Sequence, residues 1–301
     1  MRKIKNLIEY FKYLKNPINP LKLKFGLIEK CDVKIKGTEN ILTISNAQIL
    51  DRLMHLLPLT PKEKYDELIE YITDLNNDEE YITINKIKYV NFLNSEFKEN
   101  NPYSYNACNK EYFSDDDWNM INFQDRQVID IGGNVADSAL DFANQGADVI
   151  AFEPVKHLYE IALENISLNP SLSNKITFIN KAVGSKKGKI DITANSLKNY
   201  VSGDVNYEID VITIDDILNE YEIKPDILKM NCEGCEFEII PQTDLSIFNE
   251  VIFEHHAKIA GKDYKPLIEI LKKQGFKINT YPCNSSRSPF KEIGIMHLNN
   301  Y

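Results

Sequence analysis

Residues Val128–Pro154 read VIDIGGNVADSALDFANQGADVIAFEP. The apolar run Val128–Ile131 carries one acid, Asp130, and ends at Gly132-Gly133. A helix-like segment with apolar residues at Val135, Leu140 and Phe142 follows, and a second apolar run, Val149–Phe152, stops at Glu153. Strand, glycine turn, helix, strand, acid is the layout of a nucleotide-binding βαβ unit. In such a unit the acid about 20 residues past the glycines takes the ribose.

The turn itself narrows the nucleotide. A dinucleotide needs G-x-G-x-x-G, because its pyrophosphate sits on a bare helix N-terminus. Here the run is Gly132-Gly133-Asn134-Val135-Ala136-Asp137: the third glycine is missing, and Asp137 falls in the first helical turn, where it repels an anion. S-adenosylmethionine has a ribose and a cationic sulfonium but no pyrophosphate, so it tolerates these acids. Asp130 or Asp137 can face its ammonium or sulfonium, and Glu153 can accept from its ribose diol. The competing readings are an NAD- or nucleotide-sugar-dependent enzyme on the same sheet, or a cofactor-binding scaffold without catalysis.

Beyond Val128 strands and helices alternate. Strands are predicted at 128–131, 148–153, 175–180, 189–193, 208–214, 226–231, 249–255, 276–281 and 293–298. Helices are predicted at about 135–145, 156–168, 215–221, 235–243 and 264–274. That alternation implies an open, mainly parallel sheet with helices on both faces. The last two strands lack an intervening helix and must run antiparallel if they are neighbours. The expected organisation is an N-terminal accessory region with a basic arm, 1–100, and a cofactor-binding domain, 101–301. In the first region a basic helix breaks at Asn16-Pro17 and again at Asn19-Pro20. A helix follows around Ala47–Leu57, and another opens at Thr60-Pro61 with Thr60 as its cap. A hairpin turns at Asn85-Lys86. The polar, aromatic stretch Asn101–Trp118 offers Tyr103 or Tyr105 to a ligand, or is simply a connector.

With 301 residues and 43% hydrophobic content, the chain can build a large core without staples. Its five scattered cysteines argue against a disulfide framework and for a reducing compartment. No apolar stretch approaches a membrane span, and the N-terminus lacks the apolar core of a signal peptide, so a cytoplasmic location is expected. The net charge of −10 is uneven: residues 1–36 hold ten Lys/Arg and three Asp/Glu, against 25 and 42 in the remainder. An acidic body disfavours nucleic acid. The arm has apolar residues at Ile4, Leu7, Ile8, Phe11 and Leu14 with Lys between them. This pattern fits a helix packed on its own domain, the favoured reading, or a weak peripheral membrane contact through residues 1–30.

The sequence also resembles the FkbM-type methyltransferase family, a group of class I S-adenosylmethionine-dependent enzymes. Three blocks carry the likeness: VIDIGGNVADSALDFANQGADVIAFEP, INKAVGSKKG (Ile179–Gly188) and DILKMNCEGCEFEII (Asp226–Ile240). VIFEHHAK (Val251–Lys258) is a weaker echo, and the first 80 residues carry little of it. The resemblance implies a Rossmann-like class I methyltransferase α/β sheet, with an antiparallel C-terminal strand and a smaller α+β N-terminal region. It implies that Asp130, Gly132, Gly133 and Asn134 line the methionine side of the cofactor and Glu153 its ribose. Asn180 and Lys181 then lie by the adenine, and Asn231, Glu233 and Glu236 face the methyl group and the acceptor. Two positions depart from the pattern: Ala136 replaces the usual Gly, and Asn231 the usual Asp. The implied acceptor is an oxygen of a sugar, glycan or polyketide-like small molecule.

Taking a proton from a hydroxyl acceptor needs His, Asp or Glu within hydrogen-bond reach. Glu233, Glu254 and His256 are the candidates; Glu254 and His256 alternate along a strand and share a face, whereas His255 points away and is structural. Glu236 at a helix start also suits the macrodipole. Cys232-Glu233-Gly234-Cys235 is read as neither a redox pair nor half a zinc site, and no metal is expected.

Overall fold

The computed structural model describes residues 2–77, 79–91, 121–193, 206–280 and 293–300. Packing divides the chain into two units, Met1–Asp117 and Trp118–Tyr301. The boundary expected at residue 100, and Tyr103 and Tyr105, lie outside the described residues.

The first unit contains α1 (Arg2–Tyr13), α2 (Ile18–Lys24), β1 (Cys31–Lys34), β2 (Ile41–Ile44), α3 (Ala47–Leu56), α4 (Tyr65–Asn76), β3 (Tyr81–Ile84) and β4 (Ile87–Val90). Its core collects Leu50, Leu53 and Leu56 of α3, Leu68, Tyr71 and Ile72 of α4, and the inward positions Val33 and Ile44 of the β1–β2 pair. The hairpin β3–β4 turns at Asn85 and Lys86, both with positive φ, as a tight two-residue turn requires. Two expectations fail for local reasons. The helix does not break at Pro20: α2 begins at Ile18, so Pro20 sits in the first turn, where no N–H is needed. Thr60 does not cap α4 either, because its hydroxyl donates backward to the Leu56 carbonyl at 3.0 Å and α4 starts only at Tyr65.

The second unit runs β5 (Gln127–Ile131), α5 (Asp137–Asn144), β6 (Asp148–Phe152), α6 (Lys156–Ser167), α7 (Pro170–Ser173), β7 (Ile176–Ile179), β8 (Ala182–Val183), β9 (Gly188–Thr193), β10 (Asn206–Ile212), α8 (Ile214–Glu220), β11 (Ile227–Met230), α9 (Glu236–Gln242), β12 (Glu250–His256), α10 (Ala257–Ala260), α11 (Lys265–Lys273), β13 (Lys277–Thr280) and β14 (Ile293–Asn299). Its seven-stranded sheet has the order β13-β14-β12-β11-β5-β6-β7. Strands β5, β6, β7, β11 and β12 are parallel, and β14 is antiparallel to both β12 and β13. This is the α/β sheet expected from the alternation. Residues of β11 are buried throughout and those of β5 nearly so, which is why their sequences are continuous apolar runs rather than alternating ones. Strand order reverses between β5 and β11, so the crevice beyond their carboxyl ends is the place for a ligand.

The strands predicted at 189–193 and 208–214 do not join the large sheet. They pair antiparallel as β9 and β10, and β8 completes a separate three-stranded sheet. Asn206-Tyr-Glu-Ile-Asp-Val-Ile alternates polar and apolar residues, the pattern of a strand with one wet face, and its burial alternates accordingly.

At the opposite, amino-terminal edge Arg126 ties three strands together. Its guanidinium donates from Nε to Asp226 Oδ2 at 2.6 Å and from Nη1 to Glu250 Oε1 at 2.9 Å. Glu250 in turn contacts His297 Nε2 at 2.6 Å. Burial would raise the Asp226 carboxyl, but the Arg126 guanidinium outweighs it and holds it below the usual range.

The helix after β10 has a complete capping box. Thr213 Oγ1 accepts from the Asp216 N–H at 3.2 Å, and Asp216 Oδ2 accepts from the Thr213 N–H at 3.2 Å. Thr213→Ala is therefore expected to lower stability by about 1 kcal/mol, read as a shift in the urea midpoint at constant slope.

Candidate active site

The glycine turn is built by close approach of two strand ends. Gly132 has φ +81°, and a Cβ there would lie 2.0 Å from the Asn231 carbonyl oxygen, so no side chain fits. A Cβ on Gly133 would meet the Phe178 ring at 2.9 Å. Both glycine amides donate to the Phe152 carbonyl, and the Asn231 amide donates to the Ile131 carbonyl at 2.9 Å. Ala136, where the resembled family has glycine, keeps the left-handed backbone at φ +67°. A non-glycine residue thus occupies a sparsely populated backbone region here.

Asp130 and Glu153 are both buried, and both are already engaged. Asp130 pairs with Lys229 Nζ at 2.6 Å and accepts from Ser138 Oγ at 2.6 Å. Lys229 Nζ also donates to the Gly132 carbonyl at 3.0 Å. Asp130 thus acts on the turn through Lys229, with its carboxylate committed to Lys229 and Ser138. Lys229 is the residue sequence reasoning overlooked. The signal was available: a lysine inside the apolar run Ile227–Met230 needs a buried acid, and the register sets it opposite Asp130.

Glu153 Oε2 accepts from the Asn134 N–H and Oε1 from the Val155 N–H, each at 2.9 Å. Burial pushes its carboxyl up to about 7, against the pull of those amides and of Lys229. Because the folded protein then holds this proton more tightly than the unfolded chain, Glu153 takes stability away as pH rises from about 4.5 to about 7. Asn180 donates to the Glu153 carbonyl at 2.8 Å, so it braces the end of β6. Lys181 pairs with Glu220 at 3.8 Å, and Asp137 occupies the first position of α5.

Across the crevice, the ends of β11 and β12 gather a second group. His256, only 3% exposed, points Nε2 toward Glu233 Oε2 at 3.6 Å and Glu254 Oε2 at 3.9 Å, and Nδ1 toward Glu236 Oε1 at 3.8 Å. Burial works against the imidazolium, but Glu236, Glu233 and Glu254 together outweigh it and raise the His256 pKa. Glu236 is fully buried; burial opposes its charge, yet the His256 contacts hold its carboxyl below the usual range. It accepts from the His256 N–H at 2.7 Å and the Gly234 N–H at 3.0 Å, a role larger than the helix-dipole one the sequence offered. Glu233 has φ +56° and Gly234 φ +119°, which turns the loop back toward His256. His255 stacks on Tyr264 with ring centroids 4.2 Å apart, the structural part expected of it.

One expectation is overturned here. Cys232 and Cys235 form a disulfide, bridging the loop that carries Glu233 to the start of α9. The odd, scattered cysteine count concealed a pair three residues apart, close enough for a turn to close.

The structure thus brings Asp130, Gly132, Gly133, Asn134, Glu153 and Asn180 around one turn, and Glu233, Glu254 and His256 around another, with Asn231 between the two. Residues 130–278 match the family model described as the methyltransferase FkbM domain. These residues form an FkbM-type methyltransferase domain. S-adenosylmethionine is the methyl donor of such a domain, and the buried acid beside a glycine turn with no room for side chains suits its ribose. No curated protein sequence matches the chain. Among solved structures, it is similar to the FkbM methyltransferase of Methylobacillus flagellatus KT at 14% identity, over 84% of this chain and 60% of that one, with a TM-score of 0.44. It is also similar to magnesium protoporphyrin IX methyltransferase from Synechocystis PCC 6803 with bound S-adenosylmethionine, at 16% identity, over 60% of this chain and 72% of that one, TM-score 0.39.

Lys229→Ala would leave Asp130 charged and buried at the centre of this FkbM-type domain. It is expected to cost about 3–5 kcal/mol in chemical denaturation.

Proposed function

We propose that the chain transfers the methyl group of S-adenosylmethionine to a hydroxyl oxygen of a sugar, glycan or polyketide-like small molecule. The observation that carries this reading is the buried His256 enclosed by Glu233, Glu236 and Glu254 at the strand ends facing the glycine turn. Bound at the turn, S-adenosylmethionine supplies a methyl group activated by its sulfonium. The chain's own residues hold the cofactor and deal with the acceptor's proton. Glu153 accepts from the ribose diol, while its amide contacts keep the turn closed around Gly132. His256 takes the hydroxyl proton, and the three carboxylates stabilise the imidazolium that results. Asn231, in place of an acid, contributes its backbone to the turn and leaves base duty to His256.

Calorimetric titration with S-adenosylhomocysteine tests the cofactor half. Wild type is expected to bind, and Glu153→Ala to bind at least about tenfold more weakly, since a charged acceptor of hydrogen bonds is lost. Binding should also tighten from pH 6 to pH 8, as the carboxyl that titrates near 7 becomes ionised and accepts from the diol. A pH-independent affinity would remove Glu153 from the ribose.

Mass spectrometry of glycans and small metabolites, with and without the protein, tests the acceptor half by searching for products heavier by one methylene. On that acceptor His256→Ala is expected to cut turnover about 100-fold or more while cofactor affinity stays within twofold. The wild-type rate should climb with pH to a midpoint above the ordinary histidine value, because the ring must lose its proton before it can accept another. Methyl products found on nitrogen alone would overturn the oxygen assignment.

A further inference from the structure

Among the described residues of the first unit, Ile41 and Tyr81 stand in solvent singly on strands, and five further large apolar side chains do so on or beside the first two helices: Ile8 at 59% exposure, Phe11 at 55%, Ile18 at 63%, Phe25 at 62% and Leu27 at 71%. They are not scattered. In α1, Ile8 and Phe11 lie three residues apart on one face, while Tyr10 on another and Leu14 just past the helix end are each 1% exposed and pack into the unit. In α2, Pro20 and Leu23 are buried. Ile18 and Phe25, seven residues apart at either end of that helix, share the opposite side, and Leu27 follows just beyond it. Each helix therefore satisfies its unit with one face and presents a second apolar face outward. Scattered exposed apolar residues need no explanation, but repeated ones on consecutive helices do.

The charge around them is one-sided. Residues 1–36 carry ten Lys/Arg against Glu9, Glu29 and Asp32, in a protein whose net charge is −10. Lys12, Lys15, Lys22 and Lys30 are exposed, and each outward face has a lysine in step with it: Lys12 four residues after Ile8, and Lys22 between Ile18 and Phe25. Some basic groups serve the fold instead. Lys15 donates to the Thr38 carbonyl and pairs with Glu39, Lys24 pairs with Asp51, and Lys36 donates to the Phe11 carbonyl, which anchors α1 without covering its outer face. Apolar side chains fringed by lysines match a surface that is greasy below and negatively charged above.

We propose that the α1–α2 surface docks on the interface of an anionic lipid bilayer, with Ile8, Phe11, Ile18, Phe25 and Leu27 entering the acyl boundary and the surrounding lysines meeting lipid phosphates. The first unit, whose described residues include none of those assigned above to methyl transfer, then holds the chain at the membrane. This placement is independent of the acceptor assigned above.

Co-sedimentation of the full chain with vesicles tests it. Vesicles of phosphatidylcholine containing about one third phosphatidylglycerol are expected to bind at least about tenfold more protein than pure phosphatidylcholine, with the difference shrinking in high salt. The variant Phe11→Ser/Phe25→Ser/Leu27→Ser should lose at least about tenfold in affinity for the anionic vesicles while keeping its circular dichroism and its S-adenosylhomocysteine binding. Should it fail to fold, Lys22→Glu/Lys30→Glu, on exposed positions, serves in its place with the same expected loss. Equal binding to both vesicle types, no binding to either, or undiminished binding by the folded variants would overturn the proposal. So would sedimentation showing that the surface pairs two copies of the chain, with dimers lost in the serine variant and no vesicle binding by wild type.

Discussion

The ion pair between Asp130 and Lys229 underlies the architecture of the methyltransferase unit. The two residues lie opposite each other on β5 and β11, the neighbouring strands at which the order of the sheet reverses. Both are buried, so neither charge is tolerable without the other. A slip of one residue in the pairing of these strands would strand two charges in an apolar layer, a far larger penalty than misplacing a few methyl groups. The pair therefore sets the register of the central strands. Through the bond from Lys229 to the Gly132 carbonyl it also holds the glycine turn in place.

The two sides of the crevice treat charge in opposite ways. Beside the glycine turn, burial drives Glu153 toward neutrality, and only backbone amides and Lys229 resist. At the ends of β11 and β12, three carboxylates surround one imidazole and favour its charged form. Environments that push neighbouring groups' proton affinities apart from their usual values are a recurrent mark of sites where protons are moved. Here they sit at the carboxyl ends of β6 and β12, with β5 and β11 between them in one sheet.

Much of this was legible in the chain because it rests on local rules. Continuous apolar runs marked β5, β6 and β11. The hairpin at Asn85-Lys86 and the five predicted helices of the second unit fell within a residue or two of their predicted bounds, whereas the single-turn helices Pro170–Ser173 and Ala257–Ala260 were not foreseen. The glycine turn and Glu153 followed from spacing alone. What escaped depended on partners distant in sequence or on competition between neighbours. Lys229 gains its meaning only from the register with Asp130. The alternating pattern of Asn206–Ile212 was visible, but its separation into a second sheet follows from where β9 returns. Thr60 had a cap's composition and spent its hydroxyl on the preceding helix instead. Cys232 and Cys235 looked incidental because an odd total of cysteines says nothing about one close pair. Glu236 resembled a helix-dipole acid until the fold set it beneath the His256 ring.

The close approach of Gly132 to Asn231 has a mechanical side. A missing Cβ is all that separates the two backbones, and the Asn231 amide is bonded to the Ile131 carbonyl on the other chain segment. The next residue, Cys232, is tied covalently to Cys235, and Glu236 then grips the amide of His256. From the glycine turn to the imidazole the backbone is thus a stiff linkage with no slack joint. The spacing between the glycine turn and the His256 imidazole is consequently set by the folded sheet itself, and a shift of one is passed to the other through these bonds.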